Sequence, residues 1–350
     1  MNNTNLDPAL DSLLLPLTSG AITPPIDGRT LFLRARPGAD LRCFLPEQLV
    51  CEQSFKPEAD RLLAAGFTHN SAPDERFGLV LVLPPRSRDE ARILFAQALQ
   101  RVRADGVVVA CAANNQGARS LSDDLEKLAG PVSSLSKHKC RVFWTTTPHS
   151  SMNADLMAEW LELDAPYPLA DRPMLTRAGV FSAGAIDPAS QLLIDVLPQN
   201  LKGRAADLGA GCGYLSQALI TRNPGITSVN LYEAEQRALD VARINLSPHT
   251  GSIDIGFHWH DVCTGLPAHH DVIVMNPPFH QGRADTPDLG RAFIVAAARS
   301  LVPGGQLWLV ANRHLPYESV LAEHFAQVTR VCEQDGFKVI AAHRSSGPKS

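Results

Sequence analysis

One rhythm occurs twice in this chain and constrains its fold more than any other feature. In "FGLVLVLPPRSRDEARILFAQALQRVRADGVVVACAANNQG" a Val/Leu-rich strand closes on Pro84-Pro85. An amphipathic helix follows, then a glycine and a second strand that ends at asparagine. "HDVIVMNPPFHQGRADTPDLGRAFIVAAARSLVPGGQLWLVANRHLP" repeats that order, with Pro277-Pro278 after its strand. Gly106 precedes Asn114 by eight residues, and Gly304 precedes Asn312 by eight. Self-similarity on this scale reads as an internal duplication, with a chance likeness of two α/β domains as the alternative. Strands alternating with helical stretches imply parallel sheets covered by helices, an α/β architecture. Neither proline of a pair has an N–H for a ladder, so each pair must end its strand at a corner.

Length agrees with two cores, because 350 residues exceed what one hydrophobic core usually spans. The segment 163–179, with Pro166, Pro168 and Pro173, reads as the crossing between a first domain, 1–165, and a second, 171–350. No run of eighteen apolar residues occurs, so no transmembrane helix is expected. The N-terminus lacks a basic stretch followed by an apolar core, so no secretory signal is expected there. Seven scattered cysteines form neither a disulfide framework nor a C-x-x-C metal site and read as thiols of a reducing cytosol. Cytoplasmic location and a monomeric state are the expectations.

A net charge of −4 does not advertise a nucleic-acid binder. Any polyanion would have to meet local patches: Arg34, Arg36 and Arg42, Arg86, Arg88 and Arg92, or "KHKCR" at 137–141. Solvated surface is the alternative for each.

The second half carries the chemistry. Gly209, Gly211 and Gly213 form G-x-G-x-G after an apolar strand that contains Asp207. Glycines permit a tight strand-to-helix turn and let a ligand lie against the backbone. The spacing is not G-x-G-x-x-G, and Asp207 would face a pyrophosphate, so NAD is disfavoured over a ligand bearing positive charge. Glu233 closes the next strand, twenty residues beyond Gly213, where an acid can accept from both ribose hydroxyls. Asp261 and Val262 end a third strand; the aspartate is placed for an adenine amino group or, alternatively, for a turn cap. His258, His260, His269, His270 and His280 lack a helical i, i+4 pair with an acid partner, so no metal is expected.

A fourth strand runs into Asn276-Pro277-Pro278-Phe279-His280. In a doubly wound sheet, ligands bind beyond the carboxyl ends of the strands, where all these loops converge. Asn276 offers an amide oxygen, Pro277 a fixed carbonyl and Phe279 an aromatic face. That set suits a planar molecule with an exocyclic amine. Pro278, His280 and Arg313 are placed to touch such a substrate, with packing or solvation as their alternatives. Phe181 and Asp187 are candidates for the mouth of the site, and Ser190 for packing. The tail around Asp335-Gly336 reads as a hairpin.

"DLGAGCG", "YEAE", "HDV" and "NPPFH" resemble the class I S-adenosylmethionine-dependent methyltransferases that modify amino groups on planar substrates. "AGVFSAGAIDPASQLLIDVLP", "NPPFHQG" and "VANRHLPYESVLAEHF" resemble, more narrowly, the RsmC-type guanine-N2 methyltransferases of small-subunit ribosomal RNA. The likeness covers 173–343 strongly and 1–165 only in rhythm. It implies two tandem Rossmann-like domains with mostly parallel seven-stranded sheets, the N-terminal one degenerate and serving substrate positioning or support. It implies S-adenosylmethionine held by Asp207, Gly209, Gly211, Gly213, Glu233, Asp261, Val262 and Asn276, with Asn276, Pro277 and Phe279 catalytic. Small-subunit RNA or the 30S particle would be the partner. Adenine N6, a protein glutamine amide, or a non-catalytic RNA-binding role in ribosome assembly remain as alternatives.

Overall fold

Apolar residues run almost unbroken through the central strands of both halves, as they must where helices cover a parallel sheet on both faces. The computed structural model describes the chain apart from residues 1–6, 24–28, 69–70, 73, 146–150, 170–172, 279, 282–283, 286 and 347–350. It divides into two units, Met1–Ala165 and Pro166–Ser350.

The first unit comprises α1 (Pro8–Leu13), α2 (Leu15–Thr18), β1 (Thr30–Leu33), β2 (Leu49–Glu52), α3 (Lys56–Ala64), β3 (Phe77–Val82), α4 (Arg88–Arg101) and β4 (Val102–Ala113). It ends with α5 (Ala118–Ala129), β5 (Val132–Lys137), β6 (Cys140–Thr145) and α6 (Ala154–Glu162). The sheet order is β2-β1-β3-β4-β6-β5. Alternation sends Leu31, Leu33, Val80 and Val82 to one core layer and Phe32, Leu79 and Leu81 to the other. Phe32 is fully buried, and burying a phenylalanine contributes roughly 1.5–3 kcal/mol relative to exposure.

The second unit opens with a small pair, β7 (Tyr167–Pro168) and β8 (Leu175–Thr176), then α7 (Pro188–Val196), β9 (Lys202–Leu208), α8 (Tyr214–Arg222), β10 (Gly225–Glu233) and α9 (Gln236–Leu246). It continues with β11 (Asp254–Trp259), β12 (His270–Met275), the short strands β13 (His280–Gln281) and β14 (Ala284–Asp285), and α10 (Pro287–Ser300). β15 (Leu301–Asn312), α11 (Glu318–His324), β16 (Gln327–Gln334) and β17 (Phe337–His343) complete it. The order is β11-β10-β9-β12-β15-β17-β16. The tail hairpin turns on Asp335 and Gly336, both at positive φ (52° and 84°), as a two-residue turn requires.

The strand orders coincide when β1 is laid on β9, β3 on β12 and β4 on β15. The same irregularity recurs, between Phe77 and Leu79 in one half and between His270 and Val272 in the other. A Cβ at Gly106 would come within 2.8 Å of the Gly78 carbonyl; one at Gly305 would come within 3.2 Å of the Asp271 carbonyl. Both glycines therefore permit the same close approach of neighbouring strands. This register pairs Gly106 with Gly305, not Gly304, and sets Asn114 level with Arg313. The shared Gly–Asn spacing is thus displaced by one residue between the halves.

Among the described residues the first sheet has six strands, not seven. A single parallel bridge, Val50 to Thr68, lies where β11 flanks β10 in the second half. "GFTHNSAPDER" lacks the alternation of "SIDIGFHW", the pattern expected of a half-buried edge strand. Four of the six clustered arginines are engaged inside the unit, while Arg42 and Arg86 are exposed. Arg34 pairs with Glu90, Arg36 with Asp7, and Arg88 and Arg92 both with the buried Asp124. Burial opposes ionisation of Asp124, but the hydrogen bonds and charges of the two guanidiniums hold its carboxyl below the ordinary range. Among the described residues no helix is long and apolar enough to cross a membrane.

Candidate active site

β9 is the first strand of its sheet; the chain then adds β10 and β11 on one side and returns to place β12 on the other. That reversal opens a crevice beyond the strand ends. Leu208 is level with Tyr232 on β10 and with Met275 on β12, so the loops after these strands leave one edge together. Asp261, Glu233, the glycine turn, Asn276 and Arg313 follow one another along that edge.

The three glycines differ in role. All have positive φ (73°, 54° and 85°), which favours glycine at each. A Cβ on Gly213 would press on Leu246 and Ala242 of α9, so this glycine seats α8 against its neighbour. A Cβ on Gly211 would meet nothing within 4 Å, and there the backbone borders open space that a ligand can enter. Asn245, buried within α9, donates to the Cys212 carbonyl and bonds both backbone groups of Leu175, fixing the turn. A polar residue on an apolar helix face was its only sequence signal.

Asp207 is fully buried. Its Oδ2 accepts from the Ser216 N–H (3.0 Å) and hydroxyl (2.8 Å), whereas Oδ1 has no partner among the described residues. Burial pushes the carboxyl up to about 7, the Ser216 hydrogen bonds pull against this, and the charge of Glu233 adds to it. Positive charge brought nearby would favour the ionised carboxylate. Glu233 accepts from the Gly211 N–H at one oxygen and the Glu235 N–H at the other, both at 2.7 Å. Burial raises its carboxyl while these backbone hydrogen bonds lower it, and the balance is upward. Each oxygen keeps a further lone pair, enough for ribose hydroxyls. An orphaned carboxylate oxygen, an open glycine backbone and this acid fit an adenosyl cofactor with a cationic centre.

Asp261 caps a 3-10 turn, accepting from the Cys263 N–H. The Val262 side chain is buried among core residues of the second unit. His258 stacks on Tyr232 and bonds Asn230, His260 bonds the Gly265 carbonyl, and buried His270 lies 3.4 Å from the Tyr232 hydroxyl.

At the corner, the Asn276 Nδ2 donates to Asp187 Oδ2 (2.8 Å) and to Ser190 Oγ (2.9 Å). Its main-chain carbonyl oxygen lies 4.0 Å from where a Gly209 Cβ would stand. Pro277 is buried and Pro278 exposed. Phe279 lies outside the described residues, and His280 is described only in its backbone, at the start of β13. Arg313, at the rim, pairs with Glu333 at 3.5 Å. Phe181 is well exposed. Ser190 does more than pack, since its hydroxyl holds Asn276; neither its own neighbourhood in sequence nor that of Asp187 signalled the contact.

Residues 171–341 match the family model described as the methyltransferase small domain. The ribosomal RNA small subunit methyltransferase C of Shewanella amazonensis is 30% identical over 276 residues, 79% of this chain and 80% of that protein. The chain belongs to the ribosomal RNA small subunit methyltransferase C family. The Shewanella piezotolerans member is 28% identical over 81% of this chain and 82% of its own. Likeness to that family therefore extends into the first half, beyond the stretch whose motifs carried the resemblance. A solved structure titled as the T. thermophilus 16S rRNA N2 G1207 methyltransferase, in complex with AdoMet and guanosine, superposes with a TM-score of 0.77 at 23% identity. It covers 98% of this chain and 93% of the other, so the fold is shared over both halves.

Proposed function

We propose that this chain transfers a methyl group from S-adenosylmethionine to the exocyclic N2 amine of a guanine in small-subunit ribosomal RNA. The observation that carries this is the Asn276 amide, whose NH2 is held back by Asp187 and Ser190 at the open end of the sheet. Family membership supports the RNA substrate, and the crevice supports the cofactor. Asp207, the Gly209–Gly213 turn, Glu233, Asp261 and the Val262 backbone would hold the cofactor, which supplies an electrophilic methyl when bound.

The guanine amine is a weak nucleophile because its lone pair is delocalised into the ring. The Asn276 amide oxygen and the Pro277 carbonyl accept its N–H groups, draw the nitrogen toward tetrahedral geometry and stabilise its developing positive charge. Positioning of this kind can lower a barrier by roughly 7–11 kcal/mol in favourable cases. Phe279 offers a stacking face for a base taken out of its stack, which offsets an unstacking cost of a few kcal/mol. Pro278, His280 and Arg313 border the substrate side. The first domain positions the RNA or supports the second, and the enzyme works as a cytoplasmic monomer.

The test supplies purified protein with radiolabelled S-adenosylmethionine and either unmethylated small-subunit RNA or assembled subunits, then digests to nucleosides. Label in N2-methylguanosine is the expected result, and the better substrate distinguishes naked RNA from the particle. Label in N6-methyladenosine, or none in RNA and some in a protein glutamine, would move the substrate within the same chemistry. Cofactor binding without any transfer would leave the RNA-binding alternative.

A further inference from the structure

An amide is useful to an amine substrate only if its oxygen, not its NH2, faces the cleft. Asp187 Oδ2 lies 2.8 Å from the Asn276 amide atom assigned as Nδ2. An ionised carboxylate can only accept, so that atom must be the nitrogen; the chemistry of the pair fixes the flip. The second N–H goes to Ser190 Oγ at 2.9 Å. Both donors are spent, which leaves Oδ1 as the group available to a substrate. Asp187 is itself held, because its Oδ2 also accepts the Ser190 N–H at 2.7 Å as the N-cap of α7, with Pro188 in the first turn.

The first half supplies an internal control. α1 packs on β4 and β6 as α7 packs on β15 and β17. It begins Asp7-Pro8-Ala9-Leu10 where α7 begins Asp187-Pro188-Ala189-Ser190. Asp7 caps its helix just as Asp187 does, accepting from Ala9 and Leu10. Yet Leu10 replaces the serine, and Leu83, before Pro84-Pro85, stands where Asn276 precedes Pro277-Pro278. Asp7 turns instead to Arg36 at 2.8 Å. Capping alone therefore requires neither the hydroxyl nor the amide; those two are present together or replaced together.

We propose that Asp187 and Ser190 are positioning residues for the methyl transfer: they lock the Asn276 amide with its oxygen toward the acceptor amine, and so select a hydrogen-bond donor as substrate. This rests on the amine-methylation reading above. The test compares Asp187→Ser, Asp187→Asn and Ser190→Ala in the full-length chain with wild type. A serine still caps α7 but is too short to reach Asn276, whereas an asparagine keeps an oxygen able to accept both hydrogen bonds.

Asp187→Ser should lower kcat roughly tenfold to a hundredfold, with KM for RNA and Kd for the cofactor changed by no more than about twofold. Asp187→Asn should recover most of that loss, and Ser190→Ala should lower kcat by less than Asp187→Ser does. Unchanged kcat in Asp187→Ser overturns the proposal. So does a parallel fall of kcat, cofactor affinity and thermal midpoint, which would mark a helix cap only. Wild type that labels no amine overturns this proposal and the functional one together; wild type that labels N2-methylguanosine alongside fully active variants overturns this one alone.

Discussion

The two halves share a scaffold and differ at the positions where chemistry would occur. With β1 laid on β9, "RARPG" at 34–38 stands for "GAGCG" at 209–213, and Phe32 stands for Asp207. Gln53 takes the place of Glu233 and binds the Ala35 carbonyl at 2.7 Å, so it still braces the turn. Leu83 replaces Asn276. Five residues separate β3 from α4, whereas eleven separate β12 from α10, and the excess holds the short β13 and β14. A buried apolar sheet tolerates any of these exchanges, because packing asks only for shape and apolarity. A cofactor site does not, since it needs particular charges and lone pairs. Losing a handful of side chains can therefore empty a site while leaving its fold intact.

The largest effect should come from making the second half copy the first at the corner. Asn276→Leu removes the side-chain acceptor that the proposed reaction gives to the substrate amine. Deleting a single preorganised hydrogen-bonding group of this kind typically costs roughly a hundredfold to a thousandfold in kcat. Cofactor affinity, measured by calorimetry, should stay within about threefold of wild type if the acceptor acts mainly on the transition state. A comparable loss in both would mean that the corner only shapes the crevice, and that the halves differ less in chemistry than their residues suggest.

Local signals were legible in the sequence, and long-range side-chain contacts were not. The strand–glycine–helix turn, the acid twenty residues on and the Asn-Pro-Pro corner are local, because backbone conformation at each is dictated by adjacent residues. The hold of Asp187 on Asn276 joins residues 89 apart in sequence, so no spacing rule could announce it. The same holds for Arg88 with Asp124 and Arg36 with Asp7, ion pairs that no local spacing announces. The Val262 side chain likewise packs into a core cluster shared with Phe293 and Ile294 of α10, a contact no local spacing announces. Among the described residues the first sheet shows only the Val50–Thr68 bridge where a seventh strand would lie, and the segment's lack of alternation is a signal present in the residues.

His270 sharpens the comparison at intermediate size. It pairs with Leu301 at the foot of β12, as Phe77 pairs with Val102 at the foot of β3, and both are fully buried. Burial, aided by the charges of Arg204 and His269, pushes the imidazole down to about 4. A folded-state value below the ordinary 6.5 means that the unfolded chain binds the proton more tightly. Stability is then fully present above pH 6.5 and is lost as pH falls toward 4, by up to about 3 kcal/mol. His270→Phe, the first half's solution, should flatten that window in urea titrations at pH 7 and 5. At pH 7 the variant should be about 1 kcal/mol less stable, since the Tyr232 hydroxyl loses its neighbour. A variant as acid-sensitive as wild type would assign the loss to other groups.

The smallest effect concerns the vestige of the glycine turn. Arg34 keeps a left-handed φ of 56° at the place where Gly209 has 73°. That conformation costs a residue with a side chain roughly 1–2 kcal/mol. Its pairing with Glu90, at 3.4 Å and half-exposed, offsets about 1 kcal/mol or less of this. Arg34→Gly relieves the strain, loses the pair and gains freedom in the unfolded chain, so net stability should change by no more than about 1 kcal/mol. The opposite exchange, Gly209→Arg, should abolish cofactor binding, because a side chain there would enter a turn already lined by Phe293 and Pro278. Urea unfolding of Arg34→Gly and calorimetric titration of Gly209→Arg with the cofactor check the pair. If Arg34→Gly instead costs several kcal/mol, the arginine holds the first half together, and its turn has been rebuilt for stability and not merely emptied of its ligand.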